Sequence, residues 1–144
     1  MLQQRQHGLA LSVDDLEHRA QRHELTAPFC TTEYPGSAKL FELRQYRTRP
    51  GQRANWVRFF ESEIVPFQRE KGMGIIGSWT AEEDPDAFVW IRRFDSEEDR
   101  VRLYKDVYES DHWKTNIAPK TAELLIREEI KVTRMEPTPA FAAQ

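Results

Sequence analysis

The chain has 144 residues, 39% of them hydrophobic and 31% charged, with 21 Lys and Arg against 24 Asp and Glu and a net charge of -3. That is enough material for one domain with an ordinary core, and too apolar for a disordered chain. No apolar run approaches the roughly 18 residues of a membrane span, and no basic excess marks a nucleic-acid partner. The single cysteine, Cys30, excludes an internal disulfide framework and a multi-cysteine zinc site. With one thiol, no signal-peptide core in Met1 to Ala10 and too many acids for an import presequence, the expected compartment is the cytoplasm.

Composition divides the chain. All four Trp lie after residue 50, whereas His7, His18 and His23 lie before residue 25. Residues 1–38 carry three basic and five acidic residues and only Phe29 and Tyr34 as aromatics. The Pro35-Gly36-Ser37 turn therefore predicts an N-terminal arm over 1–38, a body over 39–139 and a short tail over 140–144. Within the arm, Ser12 can cap a helix over about 12–24, with Leu11 and Leu16 spaced as a hydrophobic staple. Its narrow stripe of Val13, Leu16 and Ala20 needs a surface to dock on; the competing reading is a tail without function.

The body alternates strand and helix patterns. Lys39 to Arg47 has period two, with Phe41, Leu43 and Gln45 on one face and Leu40, Glu42, Arg44 and Tyr46 on the other. Gln52 to about Lys71 has helical spacing, with Val57, Phe60, Ile64 and Phe67 as its buried stripe and Trp56 and Phe59 widening it. Pro66 should bend that helix, because it removes a backbone hydrogen bond, and Gly72 should stop it. Gly74 to Thr80 predicts a second strand, with Ile75, Gly77 and Trp79 on one face, and Ala87 to Phe94 a third. Ser96 caps a second helix with a stripe of Val101, Tyr104 and Tyr108, flanked by Leu103 and Val107. A break at Ser110-Asp111, a short helical piece over 112–116 and a brief helix after Pro119 lead to a last strand over about 127–135.

The order is β-α-β-β-α-β, the α+β, ferredoxin-like plan: a four-stranded antiparallel sheet with helices on one face. Several strands carry bulky residues on both faces, Phe88, Trp90 and Phe94 against Val89 and Ile91, so the face without helices is apolar too. Two such sheets packed together would close it, and a homodimer is expected.

The stretch Phe41-Glu42-Leu43-Arg44-Gln45-Tyr46 followed by Arg49-Pro50-Gly51 resembles the opening strand and turn of the NIPSNAP family. The likeness continues through Phe60-Glu61, Pro66-Phe67-Gln68, Gly77-Ser78-Trp79 and Val89-Trp90-Ile91-Arg92-Arg93-Phe94 to Arg100, Trp113 and Glu136-Pro137-Thr138-Pro139. It covers about residues 40–139 and implies a dimeric α/β barrel, in which two ferredoxin-like subunits share a barrel. Related barrel groups include cofactor-independent monooxygenases, haem-degrading enzymes, lyases and cyclases, but a shared scaffold does not by itself license a reaction.

Three constellations carry potential chemistry. Glu42, Arg44 and Tyr46 stand on one strand face, where Tyr46 could donate a proton and Arg44 stabilise an anion; the competing reading is a buried ion pair that holds the structure in register. Trp79, Trp90 and Arg92 form an aromatic and basic wall suited to a flat ligand, with Trp79 facing the other two if the hairpin pairs in the simplest register. The competing reading there is plain core. His112, the body's one histidine, stands with Trp113 and with Asn116 four residues on, either as a proton-transfer site or as a solvated turn. His18 and His23, five apart, make a poor zinc pair, and no phosphate loop or His-Glu-x-x-His motif occurs, so neither metal nor cofactor is expected.

Two function classes remain. One is a homodimer that holds a small aromatic or apolar ligand between sheet and helices, with or without cofactor-independent chemistry. The other is a non-enzymatic binding or assembly protein whose arm docks on a partner or on a neighbouring subunit.

Overall fold

The computed structural model describes residues 39–142. The arm with its 12–24 helix, the tail residues 143 and 144, and with them His7, His18, His23 and Cys30, lie outside the described residues.

Strand β1 (Leu40–Arg47) is followed by helix α1 (Arg53–Phe59), a π-type segment (Phe60–Ile64) and helix α2 (Val65–Glu70) in direct succession. Strands β2 (Gly74–Thr80) and β3 (Ala87–Phe94) form a hairpin. Helix α3 (Glu97–Tyr108), a second π-type segment (Trp113–Ile117), helix α4 (Ala118–Leu124) and strand β4 (Lys131–Met135) complete the body. The sheet order is β2-β3-β1-β4 with antiparallel pairing throughout, which is the ferredoxin-like arrangement anticipated from the element order. The last strand starts at Lys131 rather than near Arg127, because Arg127–Glu129 coils into a 3-10 turn first.

Face assignment follows from register. Glu42 pairs with Arg92 and Arg44 with Trp90, so the even-numbered residues of β1 and β3 point the same way. Phe88, Trp90, Arg92 and Phe94 are all buried on that face, under the helices, and so are Glu42 and Arg44. Phe41, Leu43, Val89 and Ile91 lie on the opposite face and keep intermediate exposure.

Two departures from ideal geometry and one difference in which helix residues are buried alter what periodicity predicts. The first is the helix after β1. Pro66 has no N–H for the Ser62 carbonyl, and its ring would crowd that carbonyl in a regular α-helix. The chain widens into a π-turn instead, in which the Val65 N–H reaches back five residues to the Phe60 carbonyl. The buried stripe consequently advances by four residues each time, Trp56, Phe60, Ile64, Gln68, and not along Val57 and Phe67 as the 3.6 spacing suggests. The same device recurs before Pro119, where the Ala118 N–H bonds the Trp113 carbonyl. Both π-turns read aromatic-x-x-x-Ile-x-Pro, Phe60 to Pro66 and Trp113 to Pro119.

The second departure is a bulge in β2 between Ile75 and Gly77. It sets Ile75 opposite Arg92, on the helix side, while Gly77 and Trp79 pair with Ile91 and Val89 on the open side. Ile75 therefore does not share a face with Gly77 and Trp79. A Cβ at Gly77 would stand 3.0 Å from the Trp79 ring, so only glycine lets the indole lie over the strand there.

The third concerns α3. Ser96 Oγ accepts from the Asp99 N–H at 3.0 Å as its N-cap, as expected. The buried stripe is Arg100, Leu103, Tyr104, Val107 and Tyr108, whereas Val101 is 49% exposed and not part of it. An arginine takes the place assigned to valine because its guanidinium lies 5.0 Å over the Tyr104 ring and bonds Glu97 at 2.6 and 2.9 Å. Gly72, at φ +99, ends α2.

Candidate functional site

The layer between sheet and helices contains a charged cluster inside an aromatic shell. Glu42 on β1 and Arg92 on β3 are direct cross-strand neighbours at 1% and 0% exposure. Arg92 Nη2 donates to Glu42 Oε2 at 2.7 Å and Nε donates to the same oxygen at 3.2 Å. Arg44 Nη1 adds a third contact at 3.3 Å, and the Tyr104 hydroxyl donates to Glu42 Oε1. Arg92 also donates to Tyr104 OH at 2.8 Å, Tyr108 OH at 2.6 Å and Gln68 Oε1 at 3.4 Å. All five guanidinium N–H groups of Arg92 thus have an acceptor.

Burial alone would push the Glu42 carboxyl up. The charges of Arg92 and Arg44 and the Tyr104 hydrogen bond outweigh burial and hold it down at about 2, so Glu42 is ionised at neutral pH. Burial, the largest influence on Arg92, and the Arg44 charge work against its protonation, but the surrounding Tyr108, Tyr104 and Glu42 oxygens overcome them and raise its pKa. Trp90 stacks against both cations, with the Arg92 and Arg44 guanidinium carbons 5.1 and 5.4 Å from its ring centre.

At one end the cluster meets an aromatic wall. Arg44 Nε donates to Tyr46 OH at 2.9 Å. The Tyr46 ring lies 5.8 Å from Trp56, 6.4 Å from Phe88 and 6.0 Å from Trp90. Tyr46 is half-buried, unlike Arg44 and Glu42. A phenol oxygen that already accepts from a guanidinium is set up to donate its own proton, and Arg44 can stabilise charge that develops next to it.

The structure therefore brings Glu42, Arg44, Tyr46, Trp90 and Arg92 together and separates the other predicted residues from them. Trp79, half-exposed, is on the far side of the sheet because of the β2 bulge, so it does not face Trp90 and Arg92. Trp113 is buried and lies 4.7 Å edge-on to Tyr108, whose hydroxyl accepts from Arg92. His112 and Asn116 are exposed and bond each other at 3.0 Å, with the imidazole 4.8 Å from the Phe67 ring. A groove of about 590 Å³ lined by Ser96, Glu98, Asp99, Val101, Arg102 and Lys105 runs along the outside of α3, apart from the cluster. Among the described residues no group of three or more His, Cys, Asp and Glu could hold a metal, and no helix is long and apolar enough to cross a membrane.

Three contributors escape a reading of the sequence as candidates. Tyr104 and Tyr108 are visible as helix core, but nothing local says that their hydroxyls meet a strand carboxylate and guanidinium. Gln68 is assigned to the wrong side of its helix by 3.6 periodicity; the Ile-x-Pro signature of the π-turn is the signal that could place it.

The NIPSNAP family model matches residues 41–140. The chain belongs to the NIPSNAP family. Solved NIPSNAP structures share its architecture. A NIPSNAP family protein from Agrobacterium tumefaciens str. C58 has a TM-score of 0.66 at 19% identity, covering 78% of this chain and 96% of that one. An uncharacterized NIPSNAP-like domain protein from Burkholderia xenovorans has a TM-score of 0.64 at 21% identity, covering 72% and 88%. A second Agrobacterium tumefaciens family protein, of unknown function, has a TM-score of 0.63 at 22% identity, covering 72% and 94%. No curated protein matches the chain. Identities at this level establish the NIPSNAP fold and carry no reaction.

Proposed function

We propose that this NIPSNAP protein is a homodimer that holds a small aromatic or apolar ligand between sheet and helices, at Tyr46. The observation that supports it best is the half-buried Tyr46 phenol, held by Arg44 and framed by Trp56, Phe88 and Trp90. An aromatic wall with one oriented polar group is the usual composition of a small-molecule site. If the protein is an enzyme, Tyr46 is the proton donor and Arg44 stabilises the anion, in cofactor-independent chemistry. The dimer would form through the open sheet face, where Phe41, Leu43, Val89 and Ile91 are incompletely covered.

Native mass spectrometry of the purified full chain tests both parts. A mass near twice 17.0 kDa with a small-molecule adduct, lost on Tyr46→Ala, is the expected result. A bare monomer would overturn the reading. One observation favours a second reading, a non-enzymatic binding or assembly protein: Glu42 and Arg92 spend their hydrogen bonds on one another and on Tyr104, Tyr108 and Gln68, as a purely structural cluster would. A bare dimer, with no adduct, would support that one.

A further inference from the structure

Gln68 is a polar side chain at 0% exposure whose amide nitrogen has no hydrogen-bond partner. Buried polar groups are nearly always paired, so an orphan of this kind calls for a cause. Exchanging the amide oxygen and nitrogen does not remove it. Gln68 Oε1 accepts from Arg92 Nη1 at 3.4 Å, and turning the amide would set its donor against a guanidinium donor. The π-turn before Pro66 is what brings this side chain inward, where regular helical spacing would bury Phe67. The amide is therefore delivered to the layer between sheet and helices with its N–H groups unspent.

We infer that Gln68 Nε2 is a ligand-binding donor, and that the group it takes is the neutral carbonyl oxygen of an aromatic or apolar compound. The neutral class follows from the neighbours. All five N–H groups of Arg92 are already engaged, and its charge is met by Glu42 at 2.7 Å. An incoming carboxylate would find no spare guanidinium donor on Arg92 and would face the ionised Glu42 across it. A carbonyl oxygen needs only the amide. An aromatic body suits the same layer, where Trp90 stacks on Arg92. The inference rests on the proposed ligand site between sheet and helices and adds a donor and a ligand class to it.

The test is calorimetric titration of the full chain with three probes of one size: acetophenone, benzoate and ethylbenzene. Acetophenone should bind at least tenfold more tightly than the other two. Gln68→Met, close in volume, and Gln68→Glu, which keeps an oxygen toward Arg92, both remove the amide donor. Each should weaken acetophenone at least tenfold while ethylbenzene changes less than twofold, and a cooperative urea transition identifies which variants are folded. Acetophenone binding that either folded variant leaves within twofold would overturn the inference and spare the site; the amide would then serve a buried water only. Benzoate binding as tight as acetophenone would overturn the neutral class. Failure of all three probes to bind wild-type protein would overturn both the inference and the ligand site beneath it.

Discussion

Replacing Arg92 with methionine removes a charge at 0% exposure and leaves Glu42, at 1% exposure, facing an apolar side chain. Breaking a buried ion pair from one side costs about 3–5 kcal/mol, because the remaining charge keeps its desolvation penalty without its partner. The carboxyl itself supplies an independent estimate. Its pKa falls from 4.5 to about 2 on folding, which corresponds to about 3 kcal/mol of stability at neutral pH. The sign follows from the lowered value. That contribution is complete above pH 4.5 and is lost as the pH drops through about 2. Arg92→Met removes the strongest of the influences that oppose burial at Glu42 and leaves the Arg44 charge and the Tyr104 hydrogen bond, so the variant should lose the larger part of this acid dependence. Urea unfolding at pH 7 should show a midpoint lower by roughly 2 M, for an m-value of about 2 kcal/mol/M. Repeated down to pH 2, the gap between the two proteins should narrow steadily. The double variant Glu42→Leu/Arg92→Met should recover only part of the loss, since it removes the Arg92–Glu42 pair but also the carboxylate that the buried Arg44 guanidinium contacts at 3.3 Å. A single variant within about 1 kcal/mol of wild type at pH 7, a rough tolerance for an effect of this size, would refute the argument that the cluster is electrostatically coupled.

Three further outcomes are expected. Val101→Ala should change stability by less than about 0.5 kcal/mol while Leu103→Ala costs about 2–5 kcal/mol, because only the leucine is buried; equal losses in thermal melts would contradict the stripe on α3. Ser96→Ala should cost about 1 kcal/mol through loss of the cap to Asp99, and Ser96→Asp should restore it, read by the same melts. Ile91→Lys on the open sheet face should shift sedimentation from a dimer to a 17.0 kDa monomer while circular dichroism is retained, and a variant that stays dimeric would place the subunit interface elsewhere.

The elements themselves were legible because strand and helix periodicity is a local property. The bounds of β2 and β3, the Ser96 cap and the β-α-β-β-α-β order need only nearest neighbours along the chain. The alternation of β1 likewise tells that Glu42, Arg44 and Tyr46 share a face. It cannot tell which face the helices cover, because period two is the same seen from either side of a sheet. Pairing decided that: Glu42 opposite Arg92 and Arg44 opposite Trp90 put the charged face inside and left Phe41 and Leu43 on the open side. Where geometry departs from ideal, periodicity misleads. One bulged residue in β2 carried Trp79 away from Trp90, and one widened turn before Pro66 exchanged Phe67 for Gln68 in the core. The sequence by itself thus determined the family pattern, the element order and the pool of chemically capable residues. Only the tertiary structure decided which of them meet, because a one-residue slip in a strand or a helix turns a side chain to the other side while leaving the pattern that announced it nearly unchanged.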